Sequence, residues 1–126
     1  MLGEATVVAF LATSDAARAR DFYTGALGLR VVEDGPFALV LDAGGVTLRV
    51  QKVERVSVPA GTAIGWSVPD VDTLVRGLAE RGVEFLRYER LEQDELGIWE
   101  SPAGARVAWF TDPDGNVLSV TEAADA

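Results

Sequence analysis

Apolar residues recur along this chain at two periods, and the period changes in the same order twice. Val71, Leu74, Val75, Leu78 and Ala79 fall at i, i+3, i+4, i+7 and i+8, the spacing of one helix face. Asp70 stands at the N-cap of this predicted helix and Gly82 at its stop. Ala19, Phe22, Tyr23 and Ala26 make a stripe of the same kind after Ser14-Asp15, and Gly28 closes it. Each helix is preceded by a strand-like run, Thr6 to Ala12 and Thr62 to Val68. Leu29 to Glu33, Phe37 to Asp42 and Val46 to Lys52 follow the first helix, separated by Asp34-Gly35-Pro36 and Ala43-Gly44-Gly45. Val83 to Leu91, Arg106 to Thr111 and Val117 to Thr121 follow the second, the last two joined by Asp112-Pro113-Asp114-Gly115-Asn116.

Both halves therefore read β-α-β-β-β. Placing Asp15 on Asp70 gives an offset of 70 − 15 = 55 residues, and Gly45 then falls near Gly115. The predicted fold class is α+β: two βαβββ modules in tandem, forming a curved mixed or antiparallel sheet with a concave ligand cleft. Residues 1–52 make module one, 53–61 the linker and 62–126 module two, within a single domain of a size that one core supports. One helix per module covers one sheet face, so the opposite face is left for the other module or for a ligand.

Period-two alternation sorts the strands between these faces. Ile64, Trp66 and Val68 form a helix-facing row, leaving Ala63, Gly65 and Ser67 on the open side. Leu118 and Val120 face the helix, as do Leu48 and Val50 by the repeat, so Arg49 takes the place of Ser119. Ala108 and Phe110 go inward, while Val107, Trp109 and Thr111 face the open side. Phe37 and Leu39 are expected to correspond to Trp109 in module one. Trp109 is either an aromatic platform for a ligand or a large side chain filling space between modules or at a subunit contact.

Composition then removes several kinds of chemistry. The chain contains no histidine and no cysteine, so a His/Cys metal centre, a disulfide and a His-activated nucleophile are all excluded. Ser14, Ser67, Ser101 and Ser119 lack an imidazole to activate them, and Lys52 is the only lysine. A carboxylate or Tyr88 is left as the source of any acid–base catalysis. A net charge of −9 disfavours nucleic acid and acidic membranes. No apolar run approaches the ~18 residues of a span, and Met1-Leu2-Gly3-Glu4 lacks the basic start of a signal peptide, so a cytoplasmic protein is expected. Asp112-Pro113-Asp114-Gly115 fails the calcium-loop spacing, and Glu92, Asp94 and Glu95 read as a solvated loop.

Phe10-Leu11-Ala12-Thr13-Ser14-Asp15 running into Asp21-Phe22-Tyr23 and Leu27-Gly28-Leu29, then Val68-Pro69-Asp70-Val71-Asp72, then Phe110-Thr111-Asp112-Pro113-Asp114-Gly115-Asn116, together resemble the vicinal oxygen chelate superfamily. That superfamily includes glyoxalase I, extradiol dioxygenases, fosfomycin-resistance enzymes and bleomycin-resistance proteins. The resemblance spans nearly the whole chain. Relatives with metal chemistry place two histidines and a glutamate at positions that correspond here to Val8, Ala63 and Ser119, with Arg49 at the fourth symmetric place. Those side chains are not the imidazole and carboxylate donors that a divalent ion requires, so no metal and no cofactor are expected.

The resemblance implies a protein like the metal-free bleomycin-resistance members, a homodimer that sequesters an aromatic or cationic antibiotic-like compound in a dimer cleft without turning it over. Trp109, Phe37 and Trp99 would stack on the ligand, Ser67 and Ser119 would offer hydrogen bonds, and Leu39, Val107, Phe10 and Arg49 would complete the lining. The alternative is a metal-independent lyase or isomerase whose Arg49 holds a small carboxylate. The segment Glu92 to Ala105 departs from the Pro-Trp-Gly turn of many relatives. It leaves Trp99 as either a lid residue or part of an extra hairpin.

Overall fold

A computed structural model of the chain describes residues 1–124. It divides into two compact units, Met1–Val58 and Pro59–Ala126, at a point inside the expected linker. Unit one contains a 3₁₀ turn (Leu2–Glu4), β1 (Val8–Thr13), α1 (Ala16–Arg20), β2 (Arg30–Asp34), β3 (Ala38–Asp42) and β4 (Thr47–Lys52). Unit two contains β5 (Thr62–Ser67), α2 (Val71–Glu80), β6 (Trp99–Glu100), β7 (Arg106–Thr111) and β8 (Val117–Glu122).

The βαβββ repeat is thus present, as two four-stranded sheets ordered β1-β4-β3-β2 and β5-β8-β7-β6. Within each sheet the first strand runs parallel to the last, and every other pair is antiparallel. Hairpin turns impose the antiparallel pairs, whereas the helical crossover permits the parallel one. The Asp112 hairpin is tied internally, since its Oδ1 accepts from the amides of Asp114 and Asn116 and its Oδ2 from Asn116 Nδ2.

Both helices start where the caps predict. Asp15 Oδ1 accepts from Arg18 N, and Asp70 accepts from the amide and hydroxyl of Thr73. Gly82 ends α2 at φ +88°, a conformation that favours glycine. Val71, Val75 and Leu78 are buried along α2, while Ala79 at the edge of the predicted stripe is exposed. Glu122 Oε1 accepts from Val71 N and so ties the first turn of α2 to β8.

The first helix differs from the single α-helix expected. After Arg20 it continues as a π-helical stretch, Asp21–Ala26, in which Leu27 N donates to Phe22 O five residues back. The Thr24 hydroxyl bonds Arg20 O and competes there with the α-helical pattern. Ala19 and Tyr23 are nevertheless fully buried. The core of unit one adds Leu11, Leu39, Leu41, Leu48 and Val50, and that of unit two sets Ala108, Phe110, Leu118 and Val120 beside Val71 and Val75. Each such side chain contributes about 1.5–3 kcal/mol through burial.

A second difference concerns the strand expected over Val83 to Leu91. An isolated bridge, Phe85 to Phe110, and an amide bond from Leu86 N to Trp109 O join this segment to β7 in place of a continuous ladder. Side chains supply the remaining order. Gln93 accepts from Tyr88 N and donates to the carbonyls of Leu86 and Gly97, while Arg87 donates to the carbonyls of Asp94 and Glu95. These bonds occupy backbone groups that a strand would otherwise pair, and the edge position in the sheet passes to β6.

Candidate ligand-binding face

Residues that stand opposite one another in a sheet share a face, so register assigns the candidate residues more firmly than alternation does. In unit two Trp109 faces Ser119, and Ser119 faces Gly65. Val107 faces Thr121, and Thr121 faces Ser67. Trp99 faces Val107 across the β6/β7 pair, which settles it as a hairpin strand residue on the same face. Trp109, Trp99, Val107, Ser119 and Ser67 therefore lie together, on the side away from buried Phe110, Leu118 and Val120. Trp66 faces Val120 and belongs to the other side, as expected.

The aromatic rings on this face are in contact. Trp99 and Trp109 have ring centroids 6.0 Å apart at a tilt of 35°, and Tyr88 meets Trp109 edge-on at 5.3 Å. Trp109 and Trp99 are half-buried and Tyr88 is exposed, so part of each ring is open to a ligand. The strand positions that form the face carry no charge. Arg106 and Glu122, which face each other, lie in the alternate row, where Arg106 also bonds Asp72 on α2. That pairing holds the Asp72 carboxyl below its ordinary pKa and raises the Arg106 guanidinium.

Gly65 gives this face its local shape. A Cβ there would stand 2.3 Å from Ser119 Oγ, so the serine hydroxyl fills the space that the missing side chain leaves. Tyr88 and Gly65 were not among the residues expected at the site. No periodicity signals Tyr88, because the side-chain bonds of Gln93 set the path of its loop. Alternation puts Gly65 on this face, with only its size to draw attention to it.

In unit one Phe10 faces Arg49, and Arg49 faces Val40. Phe10 is 55% exposed and Arg49 half-buried on that open face. Leu39 corrects the sequence reading: it faces Val50 and is fully buried, so it belongs to the core row with Leu41 and Leu48. Phe37 precedes β3 in a turn, where it is 80% exposed and its carbonyl accepts from Lys52 N. That bond continues the parity of Leu39, so Phe37 is not the counterpart of Trp109.

The metal ion used by many relatives does not fit these residues. Val8 and Ala63 have no donor atoms, Ser119 offers a neutral hydroxyl and Arg49 is a cation. Among the described residues no group of three or more His, Cys, Asp or Glu side chains stands together as a metal site.

The fold recurs among solved structures. A member of the glyoxalase/bleomycin resistance protein/dioxygenase superfamily from Sphaerobacter thermophilus DSM 20745 is 29% identical, with a TM-score of 0.71 over 94% of this chain and 96% of that one. A glyoxalase/bleomycin resistance protein/dioxygenase from Alicyclobacillus acidocaldarius shares 22% identity and a TM-score of 0.74, over 97% and 93% of the two chains. Lactoylglutathione lyase from Agrobacterium tumefaciens shares 18% identity and a TM-score of 0.72, over 94% and 93%. No curated protein matches the sequence significantly. The sequence model of the Glyoxalase/Bleomycin resistance protein/Dioxygenase superfamily matches residues 5–120, and the chain belongs to that superfamily.

Proposed function

We propose that the protein is a metal-independent binding protein that sequesters a planar aromatic, antibiotic-like small molecule on the Trp109 face. The observation that carries this reading is the cluster of Trp109, Trp99 and Tyr88 beside the hydroxyls of Ser119 and Ser67. Partly open rings supply stacking area, and neighbouring hydroxyls supply orientation, the combination that small-molecule sites use. No carboxylate lies at the strand positions of this face, so the reading favours an aromatic ligand over one selected by its positive charge. The protein works as a homodimer, since each sheet ends in an edge strand, β1 or β5, with outward backbone groups suited to a partner.

Tryptophan fluorescence titrated with bleomycin-like, mitomycin-like and small carboxylate compounds tests the proposal. Saturable quenching by a planar drug, lost in Trp109→Ala, is the expected result. Trp66 on the opposite face supplies an internal background. If none of the compounds quenches the wild type, or if Trp109→Ala is quenched as strongly, the proposal fails. Light scattering of the purified protein tests the dimer, and a monomer at micromolar concentration would remove it.

A further inference from the structure

Unit one carries a second feature that the Trp109 face does not use. Arg49 sits in β4, between β1 and β3, half-buried, with Phe10 and Val40 as its register neighbours. Among the described residues its guanidinium makes no hydrogen bond and no ion pair. The carboxylates on the neighbouring strands of unit one are committed or distant. Asp42 is bound by Arg30 and by the Gly45 amide, and Asp34 by Arg20 and Lys52. Glu33 stands two strands away, opposite Val40, and does not reach Arg49.

A half-buried guanidinium has lost part of its hydration, and here no protein group replaces it. Its planar fork of donors matches a carboxylate, which it binds with two parallel hydrogen bonds. The flanking side chains are hydrocarbon on both sides, Phe10 at 55% exposure and Val40 buried. Such flanks suit an acid with an apolar body and offer nothing to the further charges of inorganic phosphate.

We infer that Arg49 and Phe10 form a recognition site for an organic monocarboxylate, with the carboxylate on the guanidinium and the apolar body against the Phe10 ring. The inference does not rest on the Trp109 reading, and each stands if the other fails.

The test uses ¹⁵N-labelled protein, observing the Arg49 Nε–H signal during titration with benzoate, phenylacetate and benzamide. Saturable shifts with either acid, with benzamide binding weaker by at least about tenfold, are expected. Arg49→Gln, followed through backbone amides of β1 and β4, weakens the acid by roughly ten- to hundredfold. Phe10→Ala weakens it less. Arg49→Lys, which keeps the charge but not the fork, retains only part of the affinity. The inference is overturned if neither acid produces a saturable shift. It is also overturned if benzamide binds as tightly as benzoate, or if folded Arg49→Gln binds as the wild type does.

Discussion

Ser119 Oγ occupies the space in which a side chain at Gly65 would begin, 2.3 Å from where a Cβ would stand. The two residues face each other across the β5/β8 pair, one strand from Trp109. An alanine at position 65 must turn the serine hydroxyl away from its present place on the face that Trp109 shares. The Cβ would also stand 3.2 Å from the Ser119 carbonyl oxygen, so the β5/β8 backbone must give by a few tenths of an ångström as the hydroxyl turns. Gly65→Ala is therefore expected to cost about 1–3 kcal/mol while weakening binding on the Trp109 face. Thermal melting and a fluorescence titration of the same sample separate the two effects. Unchanged affinity would mean that the ligand does not approach Gly65.

Trp109 and Phe110 are adjacent in β7 and point to opposite faces. Phe110 is buried to 1% exposure and packs edge-on to Phe85, whereas Trp109 is half-exposed. Phe110→Ala is expected to cost about 3–5 kcal/mol in urea unfolding, the range for a large buried aromatic. Trp109→Ala should cost about 1–2 kcal/mol, chiefly from its contacts with Trp99 and Tyr88. Equal losses would make Trp109 a core residue and would remove the main support for the binding face.

The residues that were legible in the sequence are those whose neighbours are local. Asp15 and Asp70 cap helices through bonds three residues away, and the hairpins are set by their own turn residues. Alternation places Ser119 because hydrophobic and polar residues alternate from Leu118 to Thr121. It failed for Leu39 because β3 is buried on both faces, so Ala38, Leu39, Val40 and Leu41 give no polar signal of parity. The strand expected over Val83 to Leu91 failed for another reason: a side chain from outside it, Gln93, takes its backbone partners. Such a bond depends on the folded path of the loop and leaves no periodic trace.

Gln93 makes three hydrogen bonds to the backbone of its own loop, to Tyr88 N and to the carbonyls of Leu86 and Gly97. Gln93→Leu removes all three and leaves those groups to water. A loss of about 1–3 kcal/mol is expected, concentrated in this segment. Amide exchange of Tyr88 should accelerate, while that of the β7/β8 pair stays slow. Because Tyr88 contacts Trp109, the intrinsic tryptophan emission should also shift. If exchange accelerates evenly through unit two, the glutamine supports the whole unit and not the loop.

Asp34 stands at the junction of two cations, with Lys52 Nζ at 2.6 Å and Arg20 Nη1 at 2.7 Å. The hydrogen bonds from Lys52 and then Arg20 hold its carboxyl below the ordinary carboxylate pKa. A pKa depressed by folding contributes stability above the unfolded value, near 4, and that contribution is lost as pH falls through the folded value. Asp34→Asn removes this part of the acid sensitivity. The variant should be less stable than the wild type at neutral pH, and the difference should narrow as pH falls below about 4. Unfolding curves at several pH values measure it. The pairs are solvent-exposed, so the neutral-pH gap should also shrink in high salt. A gap that is constant from neutral to acid pH would show that neither cation interacts appreciably with the carboxylate.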